Sequence, residues 1–308
     1  MAGDSKGPIG HPDLMAENNI AITGGDAGYF DLMRDCVGSL RATPEGRAMA
    51  LGIVDCGLTA EQCAWFRGQG ALLVEAQWDF DFPGRDKLKD GYKGTTVRPF
   101  LPRYFPGFDL YLWLDGDTWI QQGDAVALLL RAARTGALAV VPEIHRSMRH
   151  YHHAWGEFSA ICGAAYESCF GKQVAERLIR YPMINDGVFA LSADAPHWAG
   201  WADLMNDTLQ RSTSMTDQLT LNVLVYDQGF PYEPMPCRCN WTIHHATPAW
   251  DAERSLFVEP AMPYDPLGIL HLTIYTKNLA TMDVRELGGP HDGQVRARSL
   301  RWPGRTAI

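Results

Sequence analysis

Asp115 and Asp117 flank one glycine, Gly116, directly after the apolar run Leu110–Leu114. That run carries no charge and predicts a buried strand that stops where the acids begin. Two positions apart on an extended backbone, both carboxylates point to one side, and Gly116 lets the chain turn tightly between them. Converging carboxylates repel unless a positive group sits between them. A hard divalent cation meets that need, and the same ion could neutralise a diphosphate. Asp-Gly is also an ordinary turn signal, so an acidic turn after a core strand accounts for the tripeptide equally well.

Further polar residues stand at predicted element ends. Ile20–Thr23 reads as a strand that runs into Gly24, Gly25 and Asp26; Tyr29, Phe30, Met33, Val37 and Leu40 then share one helical face. Strand, glycine turn and helix make a common ligand cradle, although the glycine pair is not the dinucleotide fingerprint. Arg98, before Pro99, reads by itself as a solvated arginine. His145, Arg149, His150, His152, His153 and Trp155 crowd one segment, which is either a solvated connector or a grip for a polar acceptor. His152 and His153 are neighbours that diverge on a strand, which argues against a metal pair. Asn185, Asp186 and Gly187 precede a strand through Leu191, and Asp217 and Gln218 open a helix near Thr216, where acid suits the helix dipole. Trp241, His244 and His245 lie in a proline-rich, looping stretch, and His271 sits inside a late strand with Lys277 shortly after it.

The elements that must position these groups alternate. Ala48–Val54 and Ala71–Val74 read as strands, and Thr59 and Gln62 have capping-box spacing for a helix between them. Ala125–Arg134 predicts a helix and Ala137–Val141 a strand ended by Pro142; Trp155–Tyr166, Lys172–Tyr181 and the stretch after Asp194 and Pro196 predict helices. Five strands ending at Val141 and separated by helices or loops imply an α/β chain with a mostly parallel central sheet flanked by helices. Residues 1–19 read as a flexible lead-in. Residues 281–308, with Arg296, Arg298, Arg301 and Arg305, read as a surface tail, contact with a phosphate-rich membrane being the second reading.

The chain's 308 residues and 46% hydrophobic content suit an enzyme-sized globular body, and its net charge of -9 argues against a nucleic-acid partner. Seven scattered cysteines, an odd number, fit a reducing compartment better than a disulfide framework. The start lacks a basic leader with an apolar run, and no stretch reaches the roughly 20 apolar residues that span a bilayer. The expectation is a cytoplasmic protein, with peripheral membrane contact compatible.

Taken in order, these segments resemble the GT-A nucleotide-sugar glycosyltransferases, especially the retaining family-8 group and its bacterial relatives. The likeness runs from about Ile20 to Lys277. Asp115-Gly116-Asp117 supplies the family's aspartate-x-aspartate signature, and His271 and Lys277 have its six-residue spacing. Two departures are Ile274, where the family often has glycine, and Asn278-Leu279, where proline-tryptophan is usual.

The resemblance implies a GT-A domain over 20–280, with a nucleotide-binding half (20–142) and an acceptor-side half (143–280). It implies that Asp115, Asp117 and His271 hold Mn2+, with Mg2+ the alternative. Thr23, Gly24, Gly25, Asp26, Arg98, Asp115, Gly116, Asn185 and Lys277 would contact the donor, a nucleoside diphosphate sugar and most readily a UDP-sugar. Gln218, Asp217 and Asp186 would serve transfer to a hydroxyl-bearing glycan or small molecule with retention. His145, Arg149, His152, Trp155, Trp241 and His244 are acceptor-side candidates.

Two other classes compete. Leu114–Thr118 resembles the nucleophile motif of haloacid-dehalogenase-like phosphatases, but Thr118 stands where glycine is common and three strand units precede the motif. A catalytically silent sugar-nucleotide or carbohydrate-binding protein would need only the cradle and an aromatic platform.

Overall fold

The computed structural model describes residues 18–151 and 155–304. Three strands open the described chain, β1 (Asn19–Gly25), β2 (Ala50–Asp55) and β3 (Ala71–Glu75), joined through helices Phe30–Ala42 and Ala60–Gly68. Both bonds of the expected Thr59/Gln62 capping box start the second helix. Next come β4 (Leu110–Leu114), β5 (Thr118–Ile120), β6 (Leu138–Pro142), β7 (Ile184–Ser192) and β8 (Tyr232–Pro234). The last third adds β9 (Trp241–Thr242), β10 (Ala249–Asp251), β11 (Leu256–Val258), β12 (Ile269–His271), β13 (Met282–Leu287) and β14 (Val295–Arg298).

Seven strands form the central sheet in the order β3-β2-β1-β4-β7-β6-β8. The four on the β3 side are parallel; β7 runs antiparallel between β4 and β6. Alternate side chains of β1 and β4 enter different apolar layers. Ala21, Leu110, Leu112 and Leu114 pack with Met33, Val37 and Leu40 of helix Phe30–Ala42 and with Val126 and Leu129 of helix Gly123–Ala133. Ile20, Ile22, Tyr111 and Trp113 pack with Phe189 and with Trp198 and Trp201 of helix His197–Leu209. Burial on both faces explains why these strands read as continuous apolar runs.

Residues 282–304 do not form a loose surface tail. β13 and β14 make an antiparallel hairpin that joins β10, and the Trp119 indole donates to the Leu300 carbonyl at 2.8 Å. Arg298 pairs with buried Glu286 at 2.8 Å, and Arg301 pairs with buried Asp35. Two of the four arginines in the stretch are thus spent on buried acids. Val284, fully buried, is the apolar anchor of the hairpin. Val284→Ala should cost ~1–2 kcal/mol through the lost methyls and the cavity left behind, lowering the calorimetric unfolding midpoint by about 2–8 °C. An unchanged midpoint would show that the hairpin contributes no stability.

Candidate active site

Asp115 and Asp117 stand where β4 leaves the central sheet. The Asp115 amide donates to the Gly187 carbonyl at 2.7 Å, and the Thr118 amide donates back to the Asp115 carbonyl at 3.0 Å, closing the turn. Gly116 is needed there because a side chain would come within 2.9 Å of Met33 Cγ and 3.2 Å of the Gly24 carbonyl. β5 then pairs antiparallel with β12, with Thr118 opposite His271. That pairing brings the imidazole across 154 residues, so that Nε2 lies 3.1 Å from Asp117 Oδ1 and 3.7 Å from Asp115 Oδ2. Among the described residues these three offer ligand atoms that all lie within 4.8 Å of one another. Lys277 Nζ lies 3.0 Å from Asp117 Oδ2 and donates to the Tyr29 hydroxyl.

A chain of side-chain amides fixes which imidazole nitrogen is the ligand. Asn185 Oδ1 accepts from the Gly187 amide at 3.0 Å, so Asn185 Nδ2 faces Glu143 Oε1 at 2.9 Å. Asn240 Nδ2 donates to the same Asn185 oxygen at 2.8 Å, which turns Asn240 Oδ1 toward His271 Nδ1 at 2.9 Å. That carbonyl can only accept, so Nδ1 carries the hydrogen and Nε2 keeps a lone pair for an ion. Two carboxylates and one correctly oriented imidazole fit a divalent transition metal. Asn185 is therefore committed to orienting this network, and its carbonyl already accepts two bonds.

Arg98 is not solvated. Its guanidinium is buried, lies over the Trp113 ring at 5.2 Å, and meets Asp115 at 2.7 Å, Asp186 at 2.6 Å and Asp217 at 2.8 Å. Asp115 Oδ1 takes both Arg98 and the Trp113 indole, leaving Oδ2 toward His271. Burial pushes the Asp186 carboxyl well above the ordinary range; Arg98 opposes the shift, while Asp217 and Asp115 add to it. Burial likewise raises Asp217. Burial also works against the Asp117 charge, but His271 and Lys277 outweigh it and bring that carboxyl down to about 2. The Lys277 ammonium loses solvation, yet Asp117 and Tyr29 hold its pKa well above the lysine range.

Two cavities meet at this cluster, and Arg98, Asp115, Asp117 and Lys277 line both. The smaller, about 470 Å³, is also lined by Gly24, Gly25, Asp26, Gly116, Tyr29 and Tyr92. The larger, about 710 Å³, receives Asn185, Asp186, Asp217, Gln218, His271, Arg149 and His244. Thr23 lines neither, being buried on β1. His145 and Trp241 are also absent from the walls: the Trp241 indole is buried and donates to the Ala246 carbonyl at 2.7 Å, and His145 packs edge-on against it and pairs with Glu259 at 3.2 Å. His152 and the side chain of Trp155 lie outside the described residues.

Sequence reasoning missed Tyr29 and Tyr92 in the smaller cavity, Glu143 in the larger, and Asn240 behind His271; His150 and His245, which lie within the two stretches read as acceptor-side, also line the larger cavity. In the sequence Tyr29 shows only the spacing of a helical packing face. Asn240 carried no local signal, because its role depends on a strand 31 residues away.

No family model and no curated protein matches the chain. Among solved structures, it is similar to the galactosyltransferase LgtC in complex with donor and acceptor sugar analogues: 14% identity, 82% of this chain and 86% of that one covered, TM-score 0.54. An active-site mutant of LgtC gives 12% identity, the same coverage and a TM-score of 0.53. The bifunctional glycosyltransferase WbbM gives 11% identity over 74% of this chain and 40% of its own, with a TM-score of 0.50. At such identities the likeness concerns architecture: the chain has the GT-A glycosyltransferase fold expected from its sequence, with a candidate aspartate-x-aspartate metal site.

Two outcomes follow from the geometry. Asn240→Ala should weaken Mn2+ binding about 10–100-fold in titration calorimetry, because His271 loses the partner that fixes its tautomer; unchanged affinity would remove Asn240 from that role. Burial disfavours the His271 imidazolium, yet Asp117 holds its pKa above the ordinary 6.5. A raised folded pKa means that the imidazolium's contribution to stability is present at low pH and lost as pH rises through that value. Asp117 has the opposite sign: its contribution is present above the ordinary 3.8 and lost as pH falls toward about 2. Ion binding needs neutral Nε2, so the rise in unfolding midpoint on adding Mn2+ should be larger near ~pH 8 than near ~pH 6. A pH-independent rise would detach His271 from the ion.

Proposed function

We propose that this protein is a divalent-metal-dependent glycosyltransferase that moves a sugar from a nucleoside diphosphate donor, UDP-linked for preference, to a hydroxyl acceptor with retention. The observation that carries the reading is the meeting of two cavities at Asp115, Asp117, His271, Arg98 and Lys277. A bond broken at that junction has a place for a nucleotide on one side and for a sugar and acceptor on the other. The smaller cavity suits the nucleotide: Gly24 and Gly25 would allow close backbone approach, Asp26 would meet base or ribose, and the Tyr29 and Tyr92 rings offer apolar faces to a base.

Asp115, Asp117 and His271 would hold Mn2+ or Mg2+, which supplies charge neutralisation for the departing diphosphate. Lys277, kept as an ammonium beside Asp117, would place a second positive charge on the same leaving group. In the larger cavity Gln218 would offer its carbonyl to the electron-poor sugar carbon, and Asp186 and Asp217 would orient hydroxyls. Both acids meet Arg98 at under 3 Å. A buried carboxyl held against a guanidinium is a poor nucleophile, which favours attack by the acceptor on the face the diphosphate leaves over a covalent sugar intermediate. The GT-A fold gives the phosphatase alternative no support, and the silent binding protein is separated by turnover.

Incubation with a panel of UDP-sugars, Mn2+ and glycoside acceptors should release UDP and yield product with the donor's anomeric configuration by NMR. Asp117→Ala should lower that turnover by ~10²–10³-fold with an unchanged circular dichroism spectrum. Inverted product would discard retention, and donor binding without any product or hydrolysis would leave a binding protein.

A further inference from the structure

The larger cavity has an apolar rim that the transfer chemistry does not explain. Ile161, Met215 and Ile274 line it while remaining 66%, 39% and 62% exposed. Tyr275 and Leu279, on the loop that continues from Ile274 to Lys277 and beyond, are 48% and 42% exposed. Half of the ten exposed large hydrophobic residues among those described therefore belong to this mouth or its adjoining loop. Such a concentration beside a cavity marks a surface that meets something apolar.

The backbone supports the same reading. Met215 and Ile274 have φ of 51° and 54°, in the left-handed region that L side chains avoid and a β-branched one avoids most. Glycine or asparagine would take that conformation readily. Each position nevertheless carries a large apolar side chain that stays substantially exposed. Met215 immediately precedes the helix Thr216–Tyr226, which presents Asp217 and Gln218; Ile274 stands three residues before Lys277. A group seated on this rim is thus tied through short backbone segments to the residues around the junction.

Resting on the glycosyltransferase reading, we propose that the acceptor is amphipathic: a hydroxyl-bearing head group enters the polar end of the larger cavity, and an attached alkyl or aryl group lies against Ile161, Met215 and Ile274. Deeper in the same cavity, Cys162 and Met183 extend the apolar lining.

The test compares methyl, octyl and 4-nitrophenyl glycosides of glucose and galactose, below micelle-forming concentration, binding to protein with Mn2+ and UDP present. Ligand-observed NMR reads affinity without requiring turnover. The octyl or the 4-nitrophenyl glycoside should bind about tenfold or more tightly than its methyl counterpart, the better arm telling chain from ring. Ile274→Asn and Met215→Asn keep a residue that tolerates the left-handed backbone while removing the apolar surface, and each should reduce that preference at least about threefold. Equal affinity for all three glycosides, or an undiminished preference in both variants, would overturn the proposal. So would variants that weaken UDP binding and leave the glycoside preference intact, since the rim would then belong to donor-site closure. Failure of UDP release with every donor counts against the transferase reading separately, because the binding preference is measured without catalysis.

Discussion

A single buried guanidinium organises the chemistry of this chain. Arg98 meets three carboxylates that arrive from different elements: Asp115 after β4, Asp186 on β7 and Asp217 in helix Thr216–Tyr226. Without it, two buried acids and the partly exposed Asp115 would converge on one another, and removing one partner from a buried ionic cluster typically costs ~3–5 kcal/mol. With it, the acids are held within reach of the junction between the two cavities. Nη1 lies beside Asp186 and Asp217 as a charge contact, while Nη2 donates a hydrogen bond to Asp115.

Around that cluster the site is supported in layers. Asp115 divides its oxygens between Arg98 and Trp113 on one side and His271 on the other. His271 is oriented by Asn240, Asn240 by Asn185, and Asn185 by the Gly187 backbone and Glu143. Glu143 in turn accepts from His245 at 3.1 Å, and burial of its carboxyl is outweighed by His245 and Asn185, which hold it below the usual range. Side chains facing the larger cavity are thus joined to the candidate ligand by an unbroken run of hydrogen bonds.

The sequence made the strands legible wherever burial on both faces produced an uninterrupted apolar run, as at Ile20–Ile22 and Leu110–Leu114. The carboxylate pair was legible because it terminates such a run. β5 was not, since three residues directly after an acidic turn carry no periodicity, and the reversed direction of β7 has no local signature at all. Arg98 looked solvated because the three acids that pair with it lie 17, 88 and 119 positions away in sequence. Trp241 stood among the acceptor-side candidates because its surroundings are looping and proline-rich, whereas β9 beside β12 buries it. Charge clustering near the C-terminus suggested a tail; what could not be read there was that Glu286 and Asp35 are buried and need those arginines.

The antiparallel pairing of β5 with β12 ties Asp117 to His271 across half the length of the polypeptide. Joining segments so far apart in sequence carries a loop-closure cost that local contacts do not, so the cluster exists only where these two segments are paired. Anything that grips both ends therefore favours that pairing over forms that lack it. An ion held by Asp117 and His271 would stabilise the folded state by the free energy of its binding.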